Sequence, residues 1–397
     1  MTSRYILFFI IGIDALILFS QTSQVSISYE EATILYGDFS FLQLLLRASL
    51  EIFGSNDFGL RFIMILLHIL SVILMYLISL RYLSSQRNRL WLLLMYILLP
   101  GVVSSAIVLN SAGLIIFGLL LYAYLSEKAS QVVLNTILLV FAIINVGFVY
   151  LFLALAIYYL FNKNKYLFLY NIGLYFLSSF IYGFDVAGYP SGHFLDTMGI
   201  YSAIFTPIIF IYLFYAIYRR YLTNKMDLLW HISATGLLFS LILSFRQSIP
   251  IEHFAPYLII GLPLAAQTFV SSYRVRLKEH RRSYKAIFII SFIFLLLNTF
   301  AVFFNRELYI FIENPKKHFV YDMHVAKELS TLLKSKNIKC LTTDKKMQLR
   351  LKFYGIEKCN DYYMDEVKNN SKRKNNVTIR YMNSILYGAN VTNLNKK

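Results

Sequence analysis

The residues best suited to chemistry in this chain are carboxylates. Glu30 and Glu31 are adjacent, and Asp38 follows in the same polar stretch, residues 28–61, between two apolar runs. Charge beside a membrane is costly and calls for a reason. A partly desolvated glutamate has a raised pKa and can take a proton from a hydroxyl acceptor. A divalent metal held by such carboxylates is the alternative way to activate that acceptor. Either suits attack by a hydroxyl on a donor whose leaving group is an anion, and a departing anion needs cationic donors. Arg246, with His253 nearby, is the candidate for that role. Both features also have plain structural explanations. Glutamate is favoured in a first helical turn, and an arginine at a span end anchors the membrane interface.

The elements that must hold these residues are membrane spans. The 397-residue chain is 58% hydrophobic and 15% charged, with mean hydropathy +0.58, which calls for repeated apolar spans rather than a soluble core. Spans are expected at about 5–20, 62–80, 90–109, 112–126, 132–146, 148–162, 167–183, 199–218, 227–245, 254–272 and 286–304. Asp14 interrupts the first run and no A-x-A site follows, so no cleavable signal peptide is evident. The net charge of +17 would suit nucleic acid, but its distribution points to a membrane and no nucleic acid. Basic residues cluster in alternate loops, such as Arg81, Arg87 and Arg89, or Arg219, Arg220 and Lys225. The positive-inside rule puts those loops and the N-terminus in the cytoplasm, and the acidic loops and the C-terminus on the exported side.

The division that follows is a membrane domain, 1–304, and an exported α/β tail, 305–397. The first external loop, 21–61, belongs to the membrane domain. Within it Leu42, Leu45, Leu46, Leu50 and Phe53 share one helical face, opposite Gln43, Arg47 and Glu51. That pattern predicts a helix lying along the membrane surface, with lipid as partner. The tail has 19 basic against 9 acidic residues, a net +10. Its periodicity predicts helices at 320–336 and 345–354 and strands at 338–342 and 356–361, a βαβ-like unit. Residues 367–378 read as a polar linker. Cys340 and Cys359 would lie on adjacent strands; a disulfide and two buried thiols are equally open. Three N-x-S/T matches, at Asn369, Asn376 and Asn390, carry little weight in an Asn-rich tail. Asp14, His68 and His231 are expected as packed residues inside apolar runs. Asp185, His193 and Asp196 are expected as a polar loop rather than a metal site.

The pattern Glu30-Glu31-Ala32, a short helix, Phe53-Gly54, Asp57-x-x-x-Arg61 and a long span ending in Arg81 resembles the first part of the protein O-mannosyltransferase and lipid A aminoarabinose transferase group. The stretch Arg246…His253-Phe-Ala-Pro256-Tyr257-Leu258…Pro263 is similar to a second segment of the same group. The resemblance implies a GT-C fold and transfer of a sugar from a polyprenyl-phosphate lipid to an exported lipid, glycan or protein acceptor. It implies Glu30 in the catalytic position with Glu31 beside it, and Asp38, Arg246, His253 and Tyr257 near substrate. Three departures accompany it. Glu30 stands where the group has Asp, Asp38-Phe39-Ser40 replaces a His/Pro-Pro segment, and the second external loop offers Asn110 and Ser111 where an acid is frequent. A changed acceptor or a catalytically silent relative would account for these. The readings of other classes are a scaffold or assembly protein whose tail binds a partner, and a transporter, for which the sequence offers no paired broken helices or inverted repeat.

Overall fold

The computed structural model describes residues 2–183, 191–312, 314–318, 320–366, 376–382 and 384–394. The described chain is mainly helical, with a small C-terminal sheet. Its helices are α1 Thr2–Thr22, α2 Tyr29–Tyr36, α3 Phe41–Phe53, α4 Asp57–Tyr82, α5 Gln86–Ile97, α6 Pro100–Ile107, α7 Ser111–Leu125, α8 Gln131–Ile144, α9 Val149–Phe161, α10 Lys165–Tyr182, α11 Phe194–Phe205, α12 Pro207–Leu222, α13 Leu228–Ser244, α14 Ile251–Ile259, α15 Leu262–Val275, α16 Lys278–Phe303, α17 Ala326–Ser335 and α18 Lys345–Phe353. Four segments are long and apolar enough to cross a membrane: 5–22, 57–82, 251–275 and 278–303. The total becomes six when each of two bent pairs counts as one span.

The bent pairs are where straight expected spans fail. The run 90–109 is two helices, α5 and α6, meeting at 59°; Pro100 at the start of α6 cannot continue the hydrogen-bond ladder of α5. The run 199–218 is α11 and α12, meeting at 104°. Pro207 opens α12, and the residue before a proline is driven out of the helical region. That residue, Thr206, takes φ +64°, a strained value for a β-branched side chain. Of the other apolar runs, several form helices of 10–17 residues, including α7, α8 and α13, and the run 167–183 forms most of the 18-residue α10.

The chain folds as two compact units, residues 1–16 with 64–300, and residues 17–63 with 301–397. In the first, helices pack through apolar faces and a few polar ties. Tyr257 is fully buried, and its hydroxyl donates to the Gly147 carbonyl at 2.6 Å. Gly236 lets α13 lie against the Tyr257 side chain, where a Cβ would collide with it. Asp14 and His68 pair at 2.7 Å inside the helices, and the Nδ1–H of His231 donates to the Asp227 carbonyl at 2.9 Å.

The second unit joins the first loop to the tail. Its sheet is antiparallel, in the order β1 Tyr362–Glu366, β3 Ser384–Asn393, β2 Val377–Tyr381. Tyr362 stands opposite Asn393 and Val377 opposite Ala389. The expected strands at 338–342 and 356–361 are present only as parallel bridges, Cys340 with Glu357 and Thr342 with Tyr363. Val377 and Thr378 are strand residues, not linker; residues 367–375 lie outside the described residues. α17 buries Leu329 and Leu333, and α18 buries Met347 and Leu351, around one core with Ile356, Ile379 and Leu386. Cys340 and Cys359 are joined by a disulfide, with Cα atoms 5.4 Å apart.

Candidate functional site

The two adjacent acids have different environments. Ser28 caps α2: its hydroxyl accepts from the Glu31 N–H, and the Glu31 carboxylate accepts from the Ser28 N–H at 2.8 Å. This reciprocal capping box satisfies two helix-end donors. It also fixes orientation. Glu31 points inward and is fully buried, while Glu30, one residue earlier on the helix, is exposed. The spacing Ser28-x-x-Glu31 carried this signal in the sequence.

Glu31 also accepts from the guanidinium of Arg61 at 3.2 Å. Arg61 is fully buried. It donates to the Ser26 carbonyl at 3.0 Å and lies 3.9 Å from Asp57. Asp57 in turn pairs with Lys327 of α17 at 2.7 Å. The Tyr354 hydroxyl, just after α18, donates to Asp57 at 2.6 Å and accepts from the Ile27 N–H at 3.0 Å. Burial, the Asp57 charge and that hydrogen bond push the Tyr354 phenol well above its ordinary pKa, so it stays a donor. Two acids thus face two cations, Arg61 buried and Lys327 at the surface, so the buried carboxylates are paired as they must be. The Asp57-x-x-x-Arg61 pattern serves this network.

The helix 41–53 also differs from its expected role. Leu42 and Leu46 are buried within the unit. Gln43, expected on the polar outer face, is buried too: its side-chain amide donates to the carbonyls of Leu35 and Gly37 at 3.0 and 3.1 Å. That arrangement ties α3 to the end of α2. The outward face carries Arg47 and Glu51 with Leu44 and Ile52. Asp38 is exposed in the turn between α2 and α3.

The other candidates belong to the helical unit. Arg246 is exposed just past α13, and its carbonyl accepts from the Ser191 N–H at 3.0 Å. His253 is half-buried on α14, 4.0 Å from Glu252. Tyr257 does not present its hydroxyl to a substrate, because that group is held by the Gly147 carbonyl. His193 has both ring nitrogens engaged, one by Asp196 at 3.2 Å and one by Ser191 at 2.8 Å; Asp185 lies outside the described residues. The Asn376 amide donates to the Val391 carbonyl at 3.1 Å and so serves the sheet. Of the loop acids, Glu30, Asp38 and Glu51 are exposed, and Glu31 and Asp57 are held in buried pairs. No protein-family model matches the chain, and no curated protein matches it.

Proposed function

We propose that this protein is a polytopic membrane glycosyltransferase of GT-C type, with about eleven spans, a cytoplasmic N-terminus and an exported loop-and-tail unit. It transfers a sugar from a polyprenyl-phosphate lipid to an exported lipid, glycan or protein acceptor. The observation that carries this reading is Glu30, an accessible carboxylate in the first turn of α2, next to a residue whose burial and ion pair hold that turn in place. The disulfide in the same unit supports an oxidising, exported location. The six apolar segments, with bent pairs counted, support the membrane setting; the shorter apolar helices supply the remaining spans of the proposal.

In the proposed inverting step, Glu30 takes the proton of the acceptor hydroxyl. The oxygen attacks the anomeric carbon, its bond to the phosphate oxygen breaks, and polyprenyl phosphate leaves with the electron pair. A divalent metal is the proposed alternative activator of that hydroxyl. Glu31 acts as a positioning residue. Replacing Glu30 by Gln should lower transfer by about 10²–10⁴-fold, the usual contribution of a general base, with the melting temperature unchanged. Mass analysis of surface glycolipids and glycoproteins from the variant strain reads this directly. Glycan levels equal to wild type would sink the base assignment.

One observation favours a second reading. Glu31, Asp57 and Arg61, the remaining charged residues of the resembling pattern before its second span, are consumed in buried pairs. A non-catalytic membrane scaffold of the same fold would retain these and dispense with Glu30. Unaltered glycans in a complete deletion strain would favour it.

A further inference from the structure

The loop-and-tail unit carries a cleft of about 490 Å³, within the size range of small-ligand sites. Ser26, Arg306, His324, Lys327, Glu328 and Arg380 contribute to its wall. Three of these are cations and one is an acid. Lys327 is already neutralised by Asp57. Arg306 is held in place by Glu328 and by the ring of Tyr381, 4.9 Å from its guanidinium carbon, and its Nε is buried without a hydrogen-bond partner. Arg380, on β2, is exposed and has no carboxylate partner among the described residues. The cleft therefore has positive charge in excess of what its own acids absorb.

A second observation points to a ligand. Ser26 is only 2% exposed, and its hydroxyl has no hydrogen-bond partner. Its N–H, by contrast, is bound to the Met323 carbonyl at 2.8 Å, which fixes the residue next to His324. A buried hydroxyl left unpaired is costly, so such groups in native proteins usually meet a ligand or water. His324 is buried, with Nδ1 engaged by the Tyr309 hydroxyl at 3.0 Å. That leaves Nε2 as its remaining ring nitrogen.

We infer that this cleft binds the phosphate group of a phosphate ester, with Arg380 supplying the uncompensated charge and Ser26 a hydrogen bond. A guanidinium fork matches a tetrahedral oxyanion, and the apolar wall offered by Met323, Leu332 and Ile379 suits the organic part of the ester. This inference is independent of the transferase reading, since none of its residues is placed in that chemistry. A lipid headgroup and a water-soluble ester offer the same phosphate, and the test separates them.

The full chain in phosphatidylcholine nanodiscs is titrated with glycerol 3-phosphate, with glycerol as the uncharged control. Binding of the phosphate ester alone is expected, weakened about tenfold or more by Arg380→Ala and several-fold by Ser26→Ala. Neither change disturbs folding contacts, because the Arg380 side chain is exposed and Ser26 loses only an unpaired hydroxyl. Loss of soluble-probe binding in discs containing phosphatidylglycerol identifies a lipid headgroup as the occupant; undiminished binding identifies a soluble ester. No binding at millimolar probe, or binding that both variants leave unchanged, overturns the inference.

Discussion

At the scale of single residues, the adjacent acids separate into one group that holds the fold and one available for chemistry. Removing one member of a buried ion pair strands the other charge, at a cost of about 3–5 kcal/mol. Glu31→Gln should therefore lower the stability of the purified protein by roughly that amount, read as a lower melting temperature in detergent. The double variant Glu31→Gln/Arg61→Met should recover a large part of the loss, because it removes the stranded guanidinium. Two single losses that simply add would show the pair to be unimportant. Tyr354→Phe keeps the ring and removes the hydroxyl that bridges Ile27 and Asp57. Hydrogen bonds to charged groups contribute about 1.5–3 kcal/mol, and a loss in that range is expected by the same measurement.

At the scale of elements, the start of α17 contains a built-in pH dependence. Burial, with smaller effects from His318 and Arg306, lowers the pKa of His324 to about 4 from its ordinary 6.5. His318 is lowered too, mainly by burial. Between those values the unfolded chain binds a proton that the folded chain refuses, so stability is complete above about pH 6.5 and declines as pH falls toward 4. The full chain should melt at lower temperature near pH 5 than near pH 7.5, and His324→Gln should flatten part of that slope. An unchanged slope in this variant would remove His324 from the account.

Elements were readable in the sequence where local physics decides them. The helix 345–353, its stop at Gly355 and the buried positions Val325, Leu329 and Leu333 follow from period and turn chemistry. The breaks at Pro100 and Thr206-Pro207 were signalled by proline, but a hydropathy window registers apolarity and not direction. The hairpin 377–393 alternates buried Val377 and Ile379 with more open neighbours, a period-2 signal lost in an Asn- and Lys-rich context. In the candidate site, Ser28-x-x-Glu31 was a legible capping box. The pairing of Glu31 with Arg61, and of Asp57 with Lys327, was not legible, because nothing local in a sequence specifies partners 30 or more residues apart.

At the scale of the molecule, the loop 17–63 and the tail 301–397 form one unit, cross-linked once by Cys340–Cys359 across a separation of 19 residues. Closing a loop of that length in the unfolded state contributes about 3 kcal/mol in the chain-entropy model. Cys359→Ser should make the tail markedly easier to cleave in limited proteolysis. Reduction of the wild type should do the same, and equal cleavage of all three would argue against a structural role for the bridge.

The bond from Tyr354 to Asp57 spans 297 residues of chain, and this sets a schedule for the protein's birth. Synthesis at about 5–20 residues per second leaves Asp57 and Arg61 waiting on the order of tens of seconds for the partners that complete their surroundings. During that interval the Glu31–Arg61 pair can form from nearby chain alone, whereas Asp57 has no Tyr354 or Lys327 to meet. Each molecule thus passes through a stage in which its first loop is half-built, and a chain that stops short of α17 never leaves it. The last quarter of the sequence thus completes the surroundings of charges laid down in the first.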